Sequence, residues 1–134
     1  MTGIIIVTHG KLSQALLATA EMIMGSQQSI GAIAFETGQD VLDLQEKICQ
    51  KLKEIAKDGE ALILVDLLGG SPYNAAAMLA MTMPKVKVVT GVNLPMLLGI
   101  LPGRDVSSAV LSQMAVTAGQ SGVSEFVIPN SNTK

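Results

Sequence analysis

The residues of this chain that could do chemistry stand at the ends of two apolar runs. The first run is residues 4–7, which are all β-branched and apolar. One threonine separates this run from His9, the single histidine among 134 residues. Asp66 ends a second run, residues 61–65. Such runs are typical of strands buried on both faces of a parallel sheet, and ligands bind outside the carboxyl ends of these strands. We therefore expect both side chains at one functional edge of a sheet.

A histidine beside a carboxylate is suited to reversible phosphoryl transfer. A carboxylate that accepts a hydrogen bond from one imidazole nitrogen fixes the tautomer and leaves the other nitrogen as a nucleophile. The transferred group carries about two negative charges, so the protein must supply donors and positive potential where it arrives. We predict His9 and Asp66 as the catalytic pair.

A glycine-rich turn after the second of these runs could supply such donors. Ser71 is predicted to cap the helix that follows, and Pro72 to take its first helical position. Helix N-termini bind anions through unpaired N–H groups, and Gly69 and Gly70 let the backbone approach an anion without an intervening Cβ. Gly10, directly after the histidine, is predicted to begin another helix. These three glycines and the serine form the predicted phosphate-binding site.

The rest of the chain alternates between strand-like and helix-like segments. Strands are predicted at about residues 4–8, 30–36, 61–66, 85–90 and 123–128, and helices at about 12–24, 40–55, 72–81, 94–101 and 108–120. This alternation predicts an α/β fold with right-handed crossovers and a doubly wound, mainly parallel sheet in the flavodoxin-like order 2-1-3-4. The first and third strands are neighbours in that order, so His9 lies beside Asp66. Residues 1–128 are predicted as one domain and 129–134 as a polar tail.

The first helix is predicted from apolar residues that recur every three or four positions. Its buried stripe comprises Leu12, Leu16, Ala20 and Ile23, widened by Leu17 and Met24. Gly25 is predicted to end the helix. We expect the stripe to face the sheet.

Composition narrows the class of protein. A net charge of −2 and an aromatic content of 2% argue against nucleic acid as a partner and against a flavin. Pro84, Pro95 and Pro102 keep the apolar stretches short of a membrane span, and no signal peptide is visible, so we expect a cytoplasmic protein. Cys49 stands alone and one histidine provides no metal-ligand set, so no disulfide, metal or other cofactor is predicted. The apolar content of 49% predicts a homodimer.

Each feature taken singly has a plainer interpretation. His9 could be an ordinary polar residue at a strand end, Asp66 a turn or capping residue, and residues 69–72 a tight connection between a strand and a helix. Their convergence on one predicted edge favours a phosphoryl-transfer site.

Three motifs carry a resemblance to a known family. They are residues 8–10 after the first strand, residues 65–74 around the aspartate and the glycine-rich turn, and residues 91–96. Over residues 4–128 the chain resembles the IIA component of the mannose-type (mannose/fructose/sorbose) sugar phosphotransferase system of bacteria. Leu68 departs from the resemblance, because many relatives have an aromatic residue there.

The resemblance implies a role for each motif. It implies that His9 accepts a phosphoryl group from the phosphocarrier protein HPr and passes it to a IIB component, in a system whose IIC and IID components lie in the membrane. It also implies that Asp66 orients the ring, that Ser71 lies close to the phosphoryl group, and that a homodimer exchanges its last strands, residues 123–128.

Two other functions stay open at this point. The phosphotransfer subunit of a dihydroxyacetone kinase system is similar around the first strand. A non-catalytic, flavodoxin-like module could hold a nucleotide or phosphate at the same edge, although no Gly-x-Gly-x-x-Gly motif follows the first strand. Phosphoryl delivery to bound ADP would indicate the first, and nucleotide binding with His9 dispensable would indicate the second.

Overall fold

The computed structural model describes residues 1–130, in which strands and helices alternate. The strands are β1 (Gly3–His9), β2 (Ile30–Phe35), β3 (Ala61–Val65) and β4 (Val86–Val89). The helices are α1 (Leu12–Met24), α2 (Val41–Ile55), α3 (Ser71–Ala80), α4 (Leu94–Ile100) and α5 (Ser108–Ser121), and a 3₁₀ turn, Leu101–Gly103, follows α4. None of the helices within residues 1–130 combines the length and the apolarity that crossing a membrane requires. Most of the predicted tail, 129–134, lies outside the described residues.

The four strands form one parallel sheet in the order β2-β1-β3-β4, which confirms the predicted arrangement. β1 and β3 are the two central strands, and they are buried along their length except at His9. Their register pairs Val7 with Val65, so both strands end at the same edge of the sheet. That edge therefore brings together the residues that follow the two apolar runs.

Side chains of the central strands fill two cores, one on each face of the sheet. One core takes Ile4, Ile6, Leu62 and Leu64 and packs against α1, α4 and α5, whereas the other takes Ile5, Val7, Ile63 and Val65 and packs against α2 and α3. The division follows from the period of two residues along a strand. Because helices cover both faces, the central strands are apolar throughout.

The buried face of α1 differs from the predicted stripe. Ala20 is buried and Leu16 and Leu17 are half-buried, but Leu12 and Ile23 are exposed, as is Met24. Ser13 is buried in place of Leu12, because its N–H and its hydroxyl bond to groups of β1 and β2. These hydrogen bonds rotate the start of the helix by one residue from the orientation that the apolar pattern predicts. Gly25 ends α1 as expected.

Residues 123–128, the fifth predicted strand, do not pair with the sheet of their own subunit. The sheet within residues 1–130 has four strands, with β2 and β4 at its two edges. Four apolar side chains of this segment are 76–81% exposed: Val123, Phe126, Val127 and Ile128. Within the single subunit this segment is therefore not a strand, and its exchange between two subunits stays a prediction.

Candidate functional site

His9 and Asp66 are joined by two hydrogen bonds at the carboxyl edge of the sheet. His9 is the last residue of β1, and Asp66 comes directly after β3. Oδ2 of Asp66 accepts a bond from the backbone N–H of His9 at 3.0 Å and another from ring nitrogen Nδ1 at 2.9 Å. The register of β1 and β3 thus places His9 beside Asp66, as the predicted order of the strands implies.

The paired carboxylate determines which ring nitrogen is free. An ionised carboxylate only accepts hydrogen bonds, so the proton of the neutral ring lies on Nδ1 and Nε2 carries the lone pair. The His9 side chain is 48% exposed, whereas that of Asp66 is 15% exposed. Nε2 is therefore an accessible nucleophile, and the opposite nitrogen of the ring is held by the mostly buried carboxylate of Asp66.

Asp66 is kept ionised by its partner. Burial by itself raises the pKa of the carboxyl group, but the hydrogen bonds from the ring and the backbone of His9 outweigh it, and the net pKa lies below its ordinary value. The second oxygen, Oδ1, is buried without a hydrogen-bond partner among residues 1–130. Within residues 1–130, both hydrogen bonds that Oδ2 accepts from another residue therefore come from His9.

The imidazole also contacts Phe35, which ends the neighbouring strand β2. The two rings meet edge to face, with centroids 6.0 Å apart and planes at 87°. The contact follows from register, because β1 and β2 pair His9 with Phe35. One face of the site is therefore apolar, and it limits the orientations open to the ring.

Thr8 and Ser13 support the site, and the sequence motifs did not identify this role. Oγ1 of Thr8 accepts the backbone N–H of Ser13 at 2.7 Å, and the Ser13 hydroxyl donates to the carbonyl of Ile33 on β2 at 2.9 Å. Both side chains are buried. A threonine within a buried run must find a hydrogen-bond partner, and that is the signal that could have revealed it. The two bonds hold in place the turn that directly follows His9.

The predicted phosphate-binding glycines make different contacts from those expected. Gly10 has a positive φ of 55° and lies in a turn, because α1 begins later, at Leu12, with Lys11 as its N-cap. Its N–H is already bonded to the carbonyl of Phe35. The N–H of Gly70 likewise bonds to the carbonyl of Leu67. Both N–H groups therefore already have a hydrogen-bond partner within the protein, so they are not open donors for an anion.

The start of α3 corrects the prediction for Ser71. Gly70 is the N-cap and makes no side-chain cap bond, while Ser71 is the first helical residue and Pro72 the second. The first bond of the helix runs from the N–H of Asn74 to the carbonyl of Gly70. The N–H groups of Ser71 and Tyr73 precede that bond, so they are the donors that this helix start can offer to an anion.

Comparison with known proteins identifies the family. A family model described as the phosphotransferase system fructose IIA component, EIIA-man, matches residues 3–116. The chain belongs to this family. The matched range contains His9, Asp66 and the whole of α3 but ends before residues 123–128.

Relatives of this IIA component carry names from the same system. The mannose-specific EIIAB component of Escherichia coli K12 is 39% identical over 123 residues, which is 90% of this chain but 38% of that protein. The fructose-specific EIIA component of Bacillus subtilis is 41% identical over 105 residues, 78% of this chain and 72% of that one. The chain therefore spans well under half the length of the Escherichia coli relative.

Solved structures of IIA proteins have the same fold. The mannose/sorbose-specific IIA subunit of Enterococcus faecalis matches with a TM-score of 0.88 and 29% identity, covering 96% of this chain and 97% of that chain. The EIIA component of Streptococcus agalactiae matches with a TM-score of 0.85 and 31% identity, covering 93% of this chain and 97% of that chain. The chain therefore has the fold of the IIA components of the sugar phosphotransferase system. No group of three or more metal-ligating side chains occurs within residues 1–130.

Proposed function

We propose that this IIA component accepts a phosphoryl group from HPr on Nε2 of His9 and passes it to a IIB component. The observation that supports the proposal is the 2.9 Å bond between Nδ1 and Asp66, because it leaves Nε2 as the free nitrogen. The family and the names of its relatives supply the class of reaction. Asp66 is the acid that orients the ring and stabilises the positive charge that the ring carries after phosphorylation.

The proposed step conserves the ring proton. The lone pair of Nε2 forms a bond to phosphorus while the bond between phosphorus and the donor atom breaks, and its electron pair stays with the donor. The ring of His9 then carries positive charge, with its proton still on Nδ1, and the adjacent carboxylate of Asp66 stabilises that charge. Transfer to IIB is the same displacement at phosphorus, with Nε2 as the leaving atom.

The incoming group brings negative charge, and the start of α3 is the proposed place for it. The N–H groups of Ser71 and Tyr73, together with the helix dipole, favour an anion there. Gly69 has a positive φ of 82°, a conformation that lets the chain turn tightly into this helix. In this proposal Gly10 and Gly70 shape the turns, since their own N–H groups are bonded elsewhere.

The proposed partners follow from the same assignment. One relative is named as an EIIAB component, and the chain covers 38% of it, so a IIB unit is the expected acceptor. HPr is the expected donor, and the protein is expected to work with IIC and IID components in the membrane. We place the protein in the cytoplasm, where it would meet both.

We also propose a homodimer in which each subunit lends residues 123–128 to the β4 edge of the other. The segment exposes four apolar side chains, which is unfavourable for a single subunit in water. A groove of about 580 Å³ runs beside β4 and is bordered by Val88, Val116 and Val123. An added strand would satisfy the open edge of the sheet and cover this apolar groove.

Phosphorylation in vitro tests the proposed reaction. Given phosphoenolpyruvate, enzyme I and HPr, the protein should acquire an acid-labile phosphate, and the His9→Ala variant should acquire none. Folding of the variant is checked by its circular dichroism, since a half-exposed side chain should be removable. Labelling that persists in His9→Ala would overturn the assignment. Transfer onward to ADP, in place of IIB, would favour the dihydroxyacetone kinase alternative.

Sedimentation of a shortened chain tests the dimer. The full chain is expected to sediment as a dimer at micromolar concentration, and a chain that stops after Gly122 as a folded monomer. A dimer that survives removal of residues 123–134 would rule out strand exchange as the basis of association.

A further inference from the structure

Two adjacent glycines of the turn before α3 are required for different reasons. Gly69 has a φ of 82°, which L residues with a side chain rarely adopt, and a Cβ built on it would meet nothing within 4 Å. Its backbone conformation therefore explains why it is glycine. Gly70 has a φ of −77° and a ψ of 171°, which any residue adopts. Its conformation does not require glycine.

The position of Gly70 in the helix does not require glycine either. It is the N-cap of α3, a position where Ser, Thr, Asp and Asn stabilise a helix by accepting an N–H of the first turn. Glycine is accepted at this position but makes no such bond. Helix formation therefore permits glycine here without requiring it.

The imidazole of His9 occupies the space that a side chain at residue 70 would need. A Cβ on Gly70 would lie 2.9 Å from Cε1 of His9 and 3.6 Å from Nε2. The shorter distance is below the closest approach that two carbons tolerate, so either the ring or the backbone would have to move. The ring is half exposed and would move more easily than the backbone.

We infer that Gly70 is a positioning residue for His9, whose missing side chain leaves room for the ring to lie against Asp66. Cε1 stands between Nδ1 and Nε2 in the ring, so pushing it shifts both nitrogens. The 2.9 Å bond from Nδ1 to Asp66 is then stretched, and Nε2 turns from its place beside the start of α3. That Gly70 positions the ring rests on geometry alone, whereas the effect of this position on phosphoryl transfer rests on the proposed function.

Two substitutions at one position separate this role from folding. Gly70→Ala adds the Cβ, and Gly70→Ser adds the same Cβ together with a hydroxyl that can cap α3. Gly70→Ser should therefore melt at or above the temperature of the wild type while disturbing the ring. Gly69→Ala is the matched control for ring placement, because it strains the backbone but puts no atom near His9.

The first readout is the tautomer of His9, observed by ¹⁵N NMR of the imidazole in its neutral form. The chain has one histidine, so both ring signals belong to His9, and the couplings of each nitrogen to the carbon-bound ring protons distinguish Nδ1 from Nε2. The wild type and Gly69→Ala should carry the proton on Nδ1, and both Gly70 variants should shift towards the Nε2–H form. Retention of the wild-type tautomer in both Gly70 variants would overturn the inference, whether or not His9 accepts phosphate.

The second readout is the rate of phosphoryl uptake from HPr. We expect at least a tenfold loss in Gly70→Ala and in Gly70→Ser. Gly25→Ala, which has a comparable backbone strain at φ 88° but lies at the far end of α1, should react within twofold of the wild type. Wild-type uptake in both Gly70 variants would also overturn the inference. A wild type that takes up no phosphate but keeps the Nδ1–H tautomer would instead refute the proposed function.

Discussion

The hydroxyl oxygen of Thr8, the residue before His9, accepts a 2.7 Å hydrogen bond from the backbone N–H of Ser13. Ser13 is the second residue of α1, and the N-cap, Lys11, contributes no side-chain bond. Thr8 therefore caps the helix from the end of the preceding strand. The strand that carries the histidine and the helix that follows it are held together at the site itself.

Replacing Thr8 by Val should destabilise the protein by about 1–3 kcal/mol, because it keeps the shape but leaves the buried N–H of Ser13 unpaired. Urea unfolding measures the loss. Thr82→Val is the matched control, since the Thr82 hydroxyl also makes a hydrogen bond, donating to the carbonyl of Leu79, but in an exposed position. Equal effects in the two variants would contradict the capping role of Thr8.

Acidification should remove stability that the wild type gains from Asp66. The pKa of this group is lowered in the folded protein, so its contribution is fully present above the ordinary carboxyl pKa, about 3.9, and declines as the pH falls through the folded value. Below about pH 4, the wild type should lose stability relative to Asp66→Asn. Urea unfolding between about pH 6 and pH 2.5 tests this, and a difference that stays constant with pH would contradict it.

Ser71→Ala should change the free energy of unfolding by less than about 0.5 kcal/mol, because Ser71 is not the cap of α3. Ser107→Ala is the same substitution in a true cap, where the hydroxyl accepts the N–H of Val110 at 3.2 Å. That variant should lose about 1 kcal/mol. Thermal unfolding compares them, and a larger loss at Ser71 would restore the capping role that the sequence predicts.

Arg104→Met should destabilise the protein by about 2–3 kcal/mol without affecting phosphoryl uptake. Arg104 is 4% exposed, and its guanidinium donates to the carbonyls of Thr2, Gln28 and Ser29, which precede β1 and β2. These contacts lie at the amino ends of the strands, opposite the site. Lys57→Met removes an exposed cation and should cost less than about 0.5 kcal/mol. A slower uptake in Arg104→Met, measured under conditions where it stays folded, would contradict the separation.

The sheet order could be predicted from the sequence because it follows from local pattern. Residues 4–7 and 61–65 are apolar at every position, which requires cover on both faces and therefore a central place in a parallel sheet. Neighbouring central strands end at one edge, and that was sufficient to bring His9 beside Asp66. The segment at 123–128 has the same strand-like pattern, but pattern alone does not say whether the pairing partner lies in the same subunit.

Predictions from the local sequence pattern were wrong at two places, where contacts between distant parts of the chain outweigh local preferences. The apolar spacing of α1 favours burying Leu12, yet two hydrogen bonds to neighbouring strands bury Ser13 instead. Ser71 has the better side chain for a cap, yet Gly70 takes that position and leaves the His9 ring its space.

The chain alone was enough to infer the four strands of the sheet, the five helices, the order of the strands and the edge at which the histidine and the aspartate meet, because burial periodicity and strand connectivity can be read along it. The folded structure was needed to show which nitrogen of His9 is bonded, which N–H groups stay open and which glycine contacts the ring. Those depend on distances of a few ångströms between residues about 60 positions apart, and no spacing along the chain encodes them.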